Sequence, residues 1–229
     1  MNYIIIGLGN FGSSLSTRLT NMGHEVMGID NEMNKVENHK DKLTHVICLD
    51  STDINSVNTL PLANSDAVIV CIGEDEGANI MSTAILKQLK VKRLVSRAIN
   101  PLHKTVLEAM GVDEIFHPEE DSAIRFAKKM NIKGVIDSFE LISGGYNIIE
   151  ARVPLKYTGK SLEEVKFRKT YNVVVLTTIK EKEEKNLLGV EKKVNRVQGV
   201  ASPQTILEED DILVLYGAIE NIQRLLKND

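Results

Sequence analysis

The chain has 229 residues, of which 42% are hydrophobic and 26% are charged, which is typical of globular proteins and excludes disordered, collagen-like and disulfide-framework chains. A chain of this length forms one large domain or two small ones, and it can bury a core without disulfides or metals. The net charge of −4 argues against a nucleic-acid partner, whose binding surfaces are usually basic. With five tyrosines, five phenylalanines and no tryptophan, the core is expected to be mainly aliphatic.

Neither cysteine has the neighbours of a metal-binding motif. Cys48 and Cys71 both lie in apolar runs, so we expect two buried, unpaired thiols and a reducing compartment. The N-terminal segment lacks the basic start and long apolar stretch of a signal peptide. Since no segment approaches the roughly 18 apolar residues of a membrane helix, we expect a cytoplasmic protein.

The first half of the chain alternates strand-like and helix-like patterns. Short apolar runs predict strands at Tyr3–Gly7, Glu25–Asp30, His45–Leu49, Asp66–Ile72, Arg93–Arg97 and Glu114–Phe116. Apolar residues at helical spacing, with glycine stops and a proline start, predict helices at 11–22, 32–40, 53–60, 78–90 and 101–111. This alternation with short loops predicts an α/β fold, a Rossmann-like doubly wound parallel sheet with helices on both faces.

The pattern changes after one more helix, predicted at Glu119–Ile132. The chain then becomes β-rich, with strands predicted at Asn147–Val153, Asn172–Ile179 and Asp211–Tyr216, and a last helix at 218–227. The turn signals Gly134 and Ser143-Gly144-Gly145 indicate a boundary near 134–146.

We therefore predict two domains, residues 1–134 and residues 135–229. The second is expected to be a small α+β domain. Between two of its strands lies Lys180–Gln198, which is rich in lysine and glutamate, and we interpret it as an exposed hairpin extension.

A glycine-rich loop follows the first predicted strand. Residues 7–12 read GLGNFG, which has the spacing G-x-G-x-x-G, and they open a predicted helix, as a phosphate-binding turn requires. Gly7 permits the tight turn, Gly9 lets the backbone approach a pyrophosphate, and Gly12 lets the helix pack on the strand. The helix N-terminus offers free N–H groups and a positive dipole end. We therefore predict a site for an adenine nucleotide or dinucleotide.

Further candidate contacts follow the other strands, because ligands of open α/β sheets bind beyond the carboxyl ends. Asp30 ends the second strand, where a carboxylate accepts hydrogen bonds from ribose hydroxyls and repels a 2′-phosphate. Asp50–Thr52 can flank the adenine, and Ile72 and Gly73 can lie beneath it. Arg97 can face the phosphates from the end of the fifth strand, with a surface ion pair as the alternative. The other predicted contacts are Asn10, Phe11 and Asn31. The alternative is structural, with Gly12 serving only packing and Asp30 only capping a helix.

An oxidoreductase would also need an acid or base beside the nicotinamide. No tyrosine is followed by a lysine four positions later, the pair that a short-chain dehydrogenase would use, and the five histidines are scattered. The second domain is also small for a substrate domain. The sequence therefore favours a nucleotide-binding protein that is not an enzyme, and an NAD-dependent oxidoreductase stays the alternative.

Several stretches together resemble the RCK (KTN) regulatory subunits of potassium uptake systems, of the KtrA and TrkA type. In the first domain they are Gly7–Gly12, Asp30, Asp50–Asp53, Ala67–Gly73, Val106–Asp113 and His117–Asp121. Those similar to the small C-terminal RCK domain are Tyr146–Val153, Leu162–Ile179 and Ser202–Tyr216. The resemblance covers nearly the whole chain.

The resemblance implies a nucleotide-sensing gating subunit. Such proteins form homodimers, which grip a neighbour through the helix here at about 119–132, and assemble into rings, commonly octamers. The ring lies at the inner face of the cell membrane beneath a Ktr- or Trk-type potassium transporter subunit. ATP and ADP, or NAD and NADH, bind the N-terminal domain, and the bound nucleotide biases the membrane pore. A nucleotide-binding module with another partner is a further alternative.

The resemblance also implies roles for single residues. Glu119 matches a family glutamate associated with a divalent cation near the nucleotide, with helix capping as the alternative. Arg168, Asn172 and Val173 occupy the stretch where some members bind cyclic di-AMP as a second effector. Asn10 departs from the arginine that often approaches the terminal phosphate, and since it is uncharged, the choice among ATP, ADP, AMP and NAD/NADH stays open.

Overall fold

The computed structural model of the chain describes residues 1–131, 134–141, 145–185 and 191–227. By its internal contacts the chain forms two compact units, Met1–Glu119 and Glu120–Asp229. These contacts group most of the predicted helix at 119–132 with the second unit, whereas the sequence grouped it with the first, so the boundary near 134 stays a prediction. Parts of our sequence predictions lie outside the described residues, namely Ile132, Ser143, Gly144, residues 186–190 and the last two residues.

A parallel sheet of six strands forms the centre of the first unit. The strands are β1 (Asn2–Ile6), β2 (Glu25–Asp30), β3 (His45–Cys48), β4 (Ala67–Val70), β5 (Leu94–Arg97) and β6 (Glu114–Phe116). They lie in the order β3-β2-β1-β4-β5-β6, and every neighbouring pair is parallel. The strand order reverses between β1 and β4, which is the point where doubly wound folds bind their ligands. The predicted Rossmann-like fold is confirmed.

Five α-helices connect these strands. They are α1 (Asn10–Asn21), α2 (Met33–Glu37), α3 (Ile54–Val57), α4 (Glu76–Gln88) and α5 (Pro101–Ala109). Both α2 and α3 are shorter than predicted, and a 3₁₀ turn at Leu62–Asn64 follows α3. Asp53 accepts hydrogen bonds from the amides of the first turn of α3 and so caps that helix.

The parallel sheet has a hydrophobic core on each face. Ile4 and Ile6 of β1 belong to one cluster, which includes Leu86 of α4, whereas Ile5 belongs to another, against which Leu15 of α1 packs. Because side chains alternate across a strand, a strand covered on both faces reads as a continuous aliphatic run. This explains why the sequence located these strands well.

The two cysteines differ in their surroundings. Cys71 is buried as predicted, but Cys48 is exposed, so the prediction that both thiols are buried is wrong. Cys48 is the last residue of β3, which is the edge strand of the sheet and has a neighbouring strand on one side only. An apolar run at a sheet edge therefore does not bury every residue in it.

The second unit contains, among the described residues, an antiparallel sheet with the order β10-β9-β11-β8-β7. Its strands are β7 (Val135–Glu140), β8 (Tyr146–Arg152), β9 (Val174–Lys185), β10 (Glu191–Val197) and β11 (Ile212–Ala218). The helices from the unit boundary onward are α6 (Pro118–Asn131), α7 (Leu162–Val165), α8 (Phe167–Tyr171) and α9 (Ile219–Leu226). The small α+β character is confirmed, although β7, α7 and α8 were not predicted.

The described core of the second unit joins the sheet to α9. Ile149 of β8 and Leu215 of β11 lie in one cluster with Ile222 and Leu225 of α9. Along β8 and β11, buried and less buried residues alternate, as expected when one face of a strand packs on the core.

Strand β9 continues beyond its predicted end into the lysine- and glutamate-rich segment. There it pairs with β10, from Ile179 opposite Val197 to Lys185 opposite Glu191. The described part of this segment is therefore a β-hairpin, as predicted. No helix in the described part of the chain is long and apolar enough to cross a membrane.

Candidate functional site

Gly7 makes the turn out of β1 with a positive φ of 94°, a conformation that favours glycine. Its N–H donates a 2.8 Å hydrogen bond to the Ile29 carbonyl at the end of β2. A Cβ added to Gly7 would lie 3.0 Å from the backbone nitrogen of Ile72, just beyond β4. The first glycine therefore fits the backbone closely between the ends of two strands.

Gly12 and Gly9 serve different needs. A Cβ on Gly12 would overlap the carbonyl oxygen of Gly7, so α1 can approach the loop this closely only with glycine there. Gly9 directly precedes α1, has no heavy atom within 4 Å of its Cβ position, and no side chain caps the helix. Since first-turn N–H groups lack intrahelical acceptors, this open helix end suits a phosphate.

Asp30 is only 7% exposed, and its carboxylate holds two backbone segments together. Oδ2 accepts a 2.7 Å hydrogen bond from the Leu8 N–H in the glycine loop. Oδ1 accepts a 3.0 Å hydrogen bond from the Glu32 N–H, just before α2. Each carboxylate oxygen has a further lone pair, so a ribose hydroxyl can donate to the same group. Asp30 therefore also positions the loop, a role that the motif alone did not reveal.

The residues after β3 form a tight polar turn. Oδ1 of Asp50 accepts hydrogen bonds from the Thr52 N–H at 2.9 Å and from its hydroxyl at 2.7 Å. Ser51 is buried, and its hydroxyl lies 2.7 Å from that of Ser82 in α4. Asp50 is exposed and Thr52 half-buried, so their side chains can reach a ligand, while the Ser51 side chain points to α4.

Asn79 joins the ends of β4 and β5, and sequence patterns did not identify it. Its fully buried amide donates hydrogen bonds to the carbonyls of Ile72 at 2.9 Å and Arg97 at 3.1 Å. Its Oδ1 accepts from the hydroxyls of Ser96 and Thr83. The available signal was that two polar residues, Asn79 and Thr83, lie four positions apart in the helix, which is the spacing of one helix face.

Arg97 extends from the end of β5 across Gly73. Its Nη1 donates to the Cys71 carbonyl at 3.4 Å, its Nη2 pairs with Glu119, and its Nε is buried without a hydrogen-bond partner. A Cβ on Gly73 would clash with the guanidinium, so glycine leaves the room that Arg97 occupies. An incompletely bonded guanidinium at this edge of the sheet can bind an anion.

Three further predicted contacts lie near the ends of these strands. The Phe11 ring packs on Phe116 of β6 with a centroid distance of 5.0 Å, which anchors the first turn of α1. Asn10 is exposed at the start of α1. Asn31 is exposed after β2, and its carbonyl accepts a hydrogen bond from the Cys48 thiol at 3.5 Å.

Lys35 in α2 adds a cation that sequence patterns did not reveal. Its ammonium forms a 2.8 Å ion pair with Glu32. This hydrogen bond raises the pKa of Lys35, burial lowers it, and the nearby carboxylates of Asp30 and Glu74 raise it further. The charges of Asp30 and Glu74 therefore favour the protonated form of Lys35.

Glu119 lies in the first turn of α6 and pairs with Arg97. Across the described ranges, no group of three or more His, Cys, Asp or Glu side chains is placed to hold a metal ion. The role of Glu119 as a divalent-cation ligand stays a prediction.

The predicted second-effector residues lie in and after α8. Arg168 and Asn172 are exposed, and the Asn172 N–H donates to the Arg168 carbonyl at 3.1 Å. Val173 is fully buried, and a Cβ on Gly217 would lie 3.1 Å from its Cγ2. Arg168 and Asn172 are therefore exposed and joined through their backbones, Val173 lies in the core, and the second-effector site stays a prediction.

Comparison with known proteins extends this description to both units. The family described as the TrkA-N domain matches residues 3–118. The Ktr system potassium uptake protein C of Bacillus subtilis (strain 168) is 33% identical over 98% of this chain and 96% of its own length. The Ktr system potassium uptake protein A of the same organism is 32% identical over 97% and 94%.

A solved structure described as the GsuK channel bound to NAD has the same fold, with a TM-score of 0.65 at 16% identity. It matches 100% of this chain, which spans 39% of the GsuK chain. Because the family match takes in more than half of the chain and the glycine loop lies within it, this chain belongs to the TrkA-N domain family.

Proposed function

We propose that this chain is a nucleotide-sensing regulatory subunit of a potassium uptake system. The observation that carries the nucleotide part is the open N-terminus of α1 at Gly9, held beside the buried carboxylate of Asp30 where the strand order reverses. The potassium part is supported by the Ktr relatives, which match both units over almost their full length.

Each part of an adenine nucleotide has a partner at the proposed site. The phosphates accept hydrogen bonds from the first-turn N–H groups of α1 and pair with the Arg97 guanidinium. A ribose hydroxyl donates to Asp30, whose charge disfavours a 2′-phosphate, so NAD is preferred over NADP. Asp50 and Thr52 flank the adenine. NAD is a reasonable ligand to include, since GsuK of the same fold has been solved with it.

The proposed regulation is a shift between conformations. A nucleotide can bias the pore only if it binds two forms of the assembly with different affinities. In this proposal the chain forms homodimers within a cytoplasmic ring, an octamer in the resembling family, against a membrane-embedded potassium transporter subunit. A divalent cation held by Glu119 and cyclic di-AMP bound beside Arg168 and Asn172 are further proposed ligands, and calorimetry with each tests them.

Titration with ATP, ADP, AMP, NAD and NADH tests nucleotide binding. A ligand that binds only the folded chain raises the melting temperature by mass action. We expect at least one nucleotide to do so, and Asp30→Ala to weaken its binding. Asp75→Ala is the matched control, because Asp75 is an exposed carboxylate at the same edge that caps α4. If no nucleotide raises the melting temperature, the proposal fails.

An oxidoreductase remains the competing function, because the fold is shared with such enzymes. Incubating the chain with NADH and a panel of small carbonyl compounds separates the two functions. We expect no turnover above that of the Asp30→Ala variant. Sustained oxidation of NADH by the wild-type chain, but not by the Asp30→Ala variant, would favour the oxidoreductase function.

A further inference from the structure

We propose that the Arg97–Glu119 ion pair is a latch that a phosphate opens. In this arrangement a nucleotide phosphate takes the Arg97 guanidinium away from Glu119 and releases the first turn of α6. The inference rests on the proposed function, since it concerns how a nucleotide at the glycine loop acts on the rest of the chain.

The arginine and the glycine loop contact the same short segment. Arg97 Nη1 donates to the Cys71 carbonyl at 3.4 Å. A Cβ atom added to Gly7 would lie 3.2 Å from the carbonyl carbon of Cys71, and one added to Gly12 would lie 3.1 Å from the Cβ of Cys71. The glycine loop and the Arg97 guanidinium therefore both border Cys71, and in this proposal a phosphate on the loop is within reach of the arginine side chain.

The two partners of the ion pair are unequally exposed. The Arg97 side chain is 16% exposed and the Glu119 side chain 58%, so the carboxylate can turn into water while the arginine stays in the site. Ion pairs with one exposed partner are weak. Arg97 also has an unbonded Nε, and a phosphate can accept two parallel hydrogen bonds from the guanidinium fork. The phosphate is therefore the stronger partner.

The position of Glu119 gives the exchange a consequence beyond the site. Glu119 is the second residue of α6 and the last residue of the first unit. Its pair with Arg97 ties the first turn of α6 to the end of β5. When the ion pair opens, the first turn of α6 is no longer held to the end of β5. The conformational freedom of this turn therefore depends on whether a phosphate is bound.

The test is calorimetry of the full chain with ADP and with adenosine, in EDTA so that no divalent cation contributes. Glu119→Gln removes the competitor, and we expect it to tighten ADP binding about three- to fivefold while leaving adenosine unchanged. Glu114→Gln is the matched control, since Glu114 forms an exposed ion pair with Arg93 at the other end of β5. It should change neither affinity.

A second variant separates the latch from simple charge repulsion. In an Arg97→Gln background, Glu119→Gln should no longer tighten ADP binding, whereas repulsion between Glu119 and a phosphate would persist. Hydrogen exchange of residues 118–131 gives an independent readout, and ADP should speed it in the wild-type chain but not in Glu119→Gln.

Unchanged or weaker ADP binding by Glu119→Gln would overturn the latch, as would equal tightening in the Arg97→Gln background. Those results leave nucleotide binding by the wild-type chain intact. Failure of the wild-type chain to bind both adenosine and ADP is a different result, which overturns the proposed function and the latch together.

Discussion

The two sheets of this protein show how differently a sequence can reveal a fold. The parallel sheet around β1 is covered on both faces, so its strands are aliphatic runs. The antiparallel sheet has its described core on the α9 face, and β9 continues into a charged hairpin. The first sheet carries the candidate nucleotide site at the carboxyl ends of its strands.

The difference between the sheets suggests that the first unit binds the nucleotide and that the core of the second unit does not take part in this binding. Polar residues at the carboxyl ends of the parallel strands share one edge because all the strands point the same way. In an antiparallel sheet, alternate strands end at opposite edges, so the same pattern does not collect a site. We therefore expect substitutions in the first unit to change nucleotide binding and core substitutions in the second to change stability alone.

The largest expected effect is on the stability of the second unit. Leu215 of β11 is fully buried, so Leu215→Ala should lower the free energy of unfolding by about 2–5 kcal/mol. Urea unfolding measures this loss, and calorimetry of the still-folded variant should give wild-type nucleotide affinity. Leu176→Ala is the control, because Leu176 in the same sheet is 37% exposed and should cost much less. A large loss of affinity in Leu215→Ala would contradict this separation between the two units.

Next in size is the glycine loop. Gly12→Ala places a methyl group on the Gly7 carbonyl, so we expect a loss of about 1–3 kcal/mol in unfolding free energy, together with loss of nucleotide binding. Gly9→Ala has open space and should cost about 1 kcal/mol or less, yet still weaken nucleotide binding because the methyl group obstructs the phosphates. Equal destabilisation by the two variants would contradict the close contact of Gly12 with the Gly7 carbonyl and the open space at Gly9.

A smaller effect on nucleotide affinity is expected at Asn79. Asn79→Leu leaves the carbonyls of Ile72 and Arg97 without their amide donor, at a cost of about 1–3 kcal/mol. The Ile72 carbonyl directly precedes Gly73, and the Arg97 carbonyl belongs to the residue proposed to bind the phosphates. Nucleotide affinity should therefore also fall, but less than in Gly12→Ala. Urea unfolding and calorimetry check both effects. Full affinity in a destabilised Asn79→Leu would limit this residue to a structural role.

The smallest perturbation tests the burial of the two thiols. Burial raises the pKa of the Cys71 thiol to about 12, so at pH 8 it stays protonated and shielded, while Cys48 is exposed. A thiol reagent should therefore label one cysteine per native chain and both after unfolding. Mass spectrometry of Cys48→Ser identifies the site, and rapid native labelling of that variant would contradict the described core.

Aliphatic runs predicted strands β1–β6 to within about three residues, because burial on both faces leaves a strong signal. The same rule failed for Cys48, since an edge strand has one open side. The far part of β9 was predicted only as part of a hairpin extension, without strand bounds, because its charged residues show no apolar alternation. The G-x-G-x-x-G spacing located the loop and Asp30, but the Arg97–Glu119 pair arises where β5 and α6 meet and has no sequence signature.

Potassium flux shows whether this chain regulates a transporter in response to a nucleotide. Vesicles carrying the partner membrane transporter subunit are measured with and without this chain, and with ADP, ATP or NADH. We predict that a nucleotide changes the flux only when the chain is present, and that Asp30→Ala removes the nucleotide dependence. A flux that is the same with and without the chain, under every nucleotide, would contradict the account.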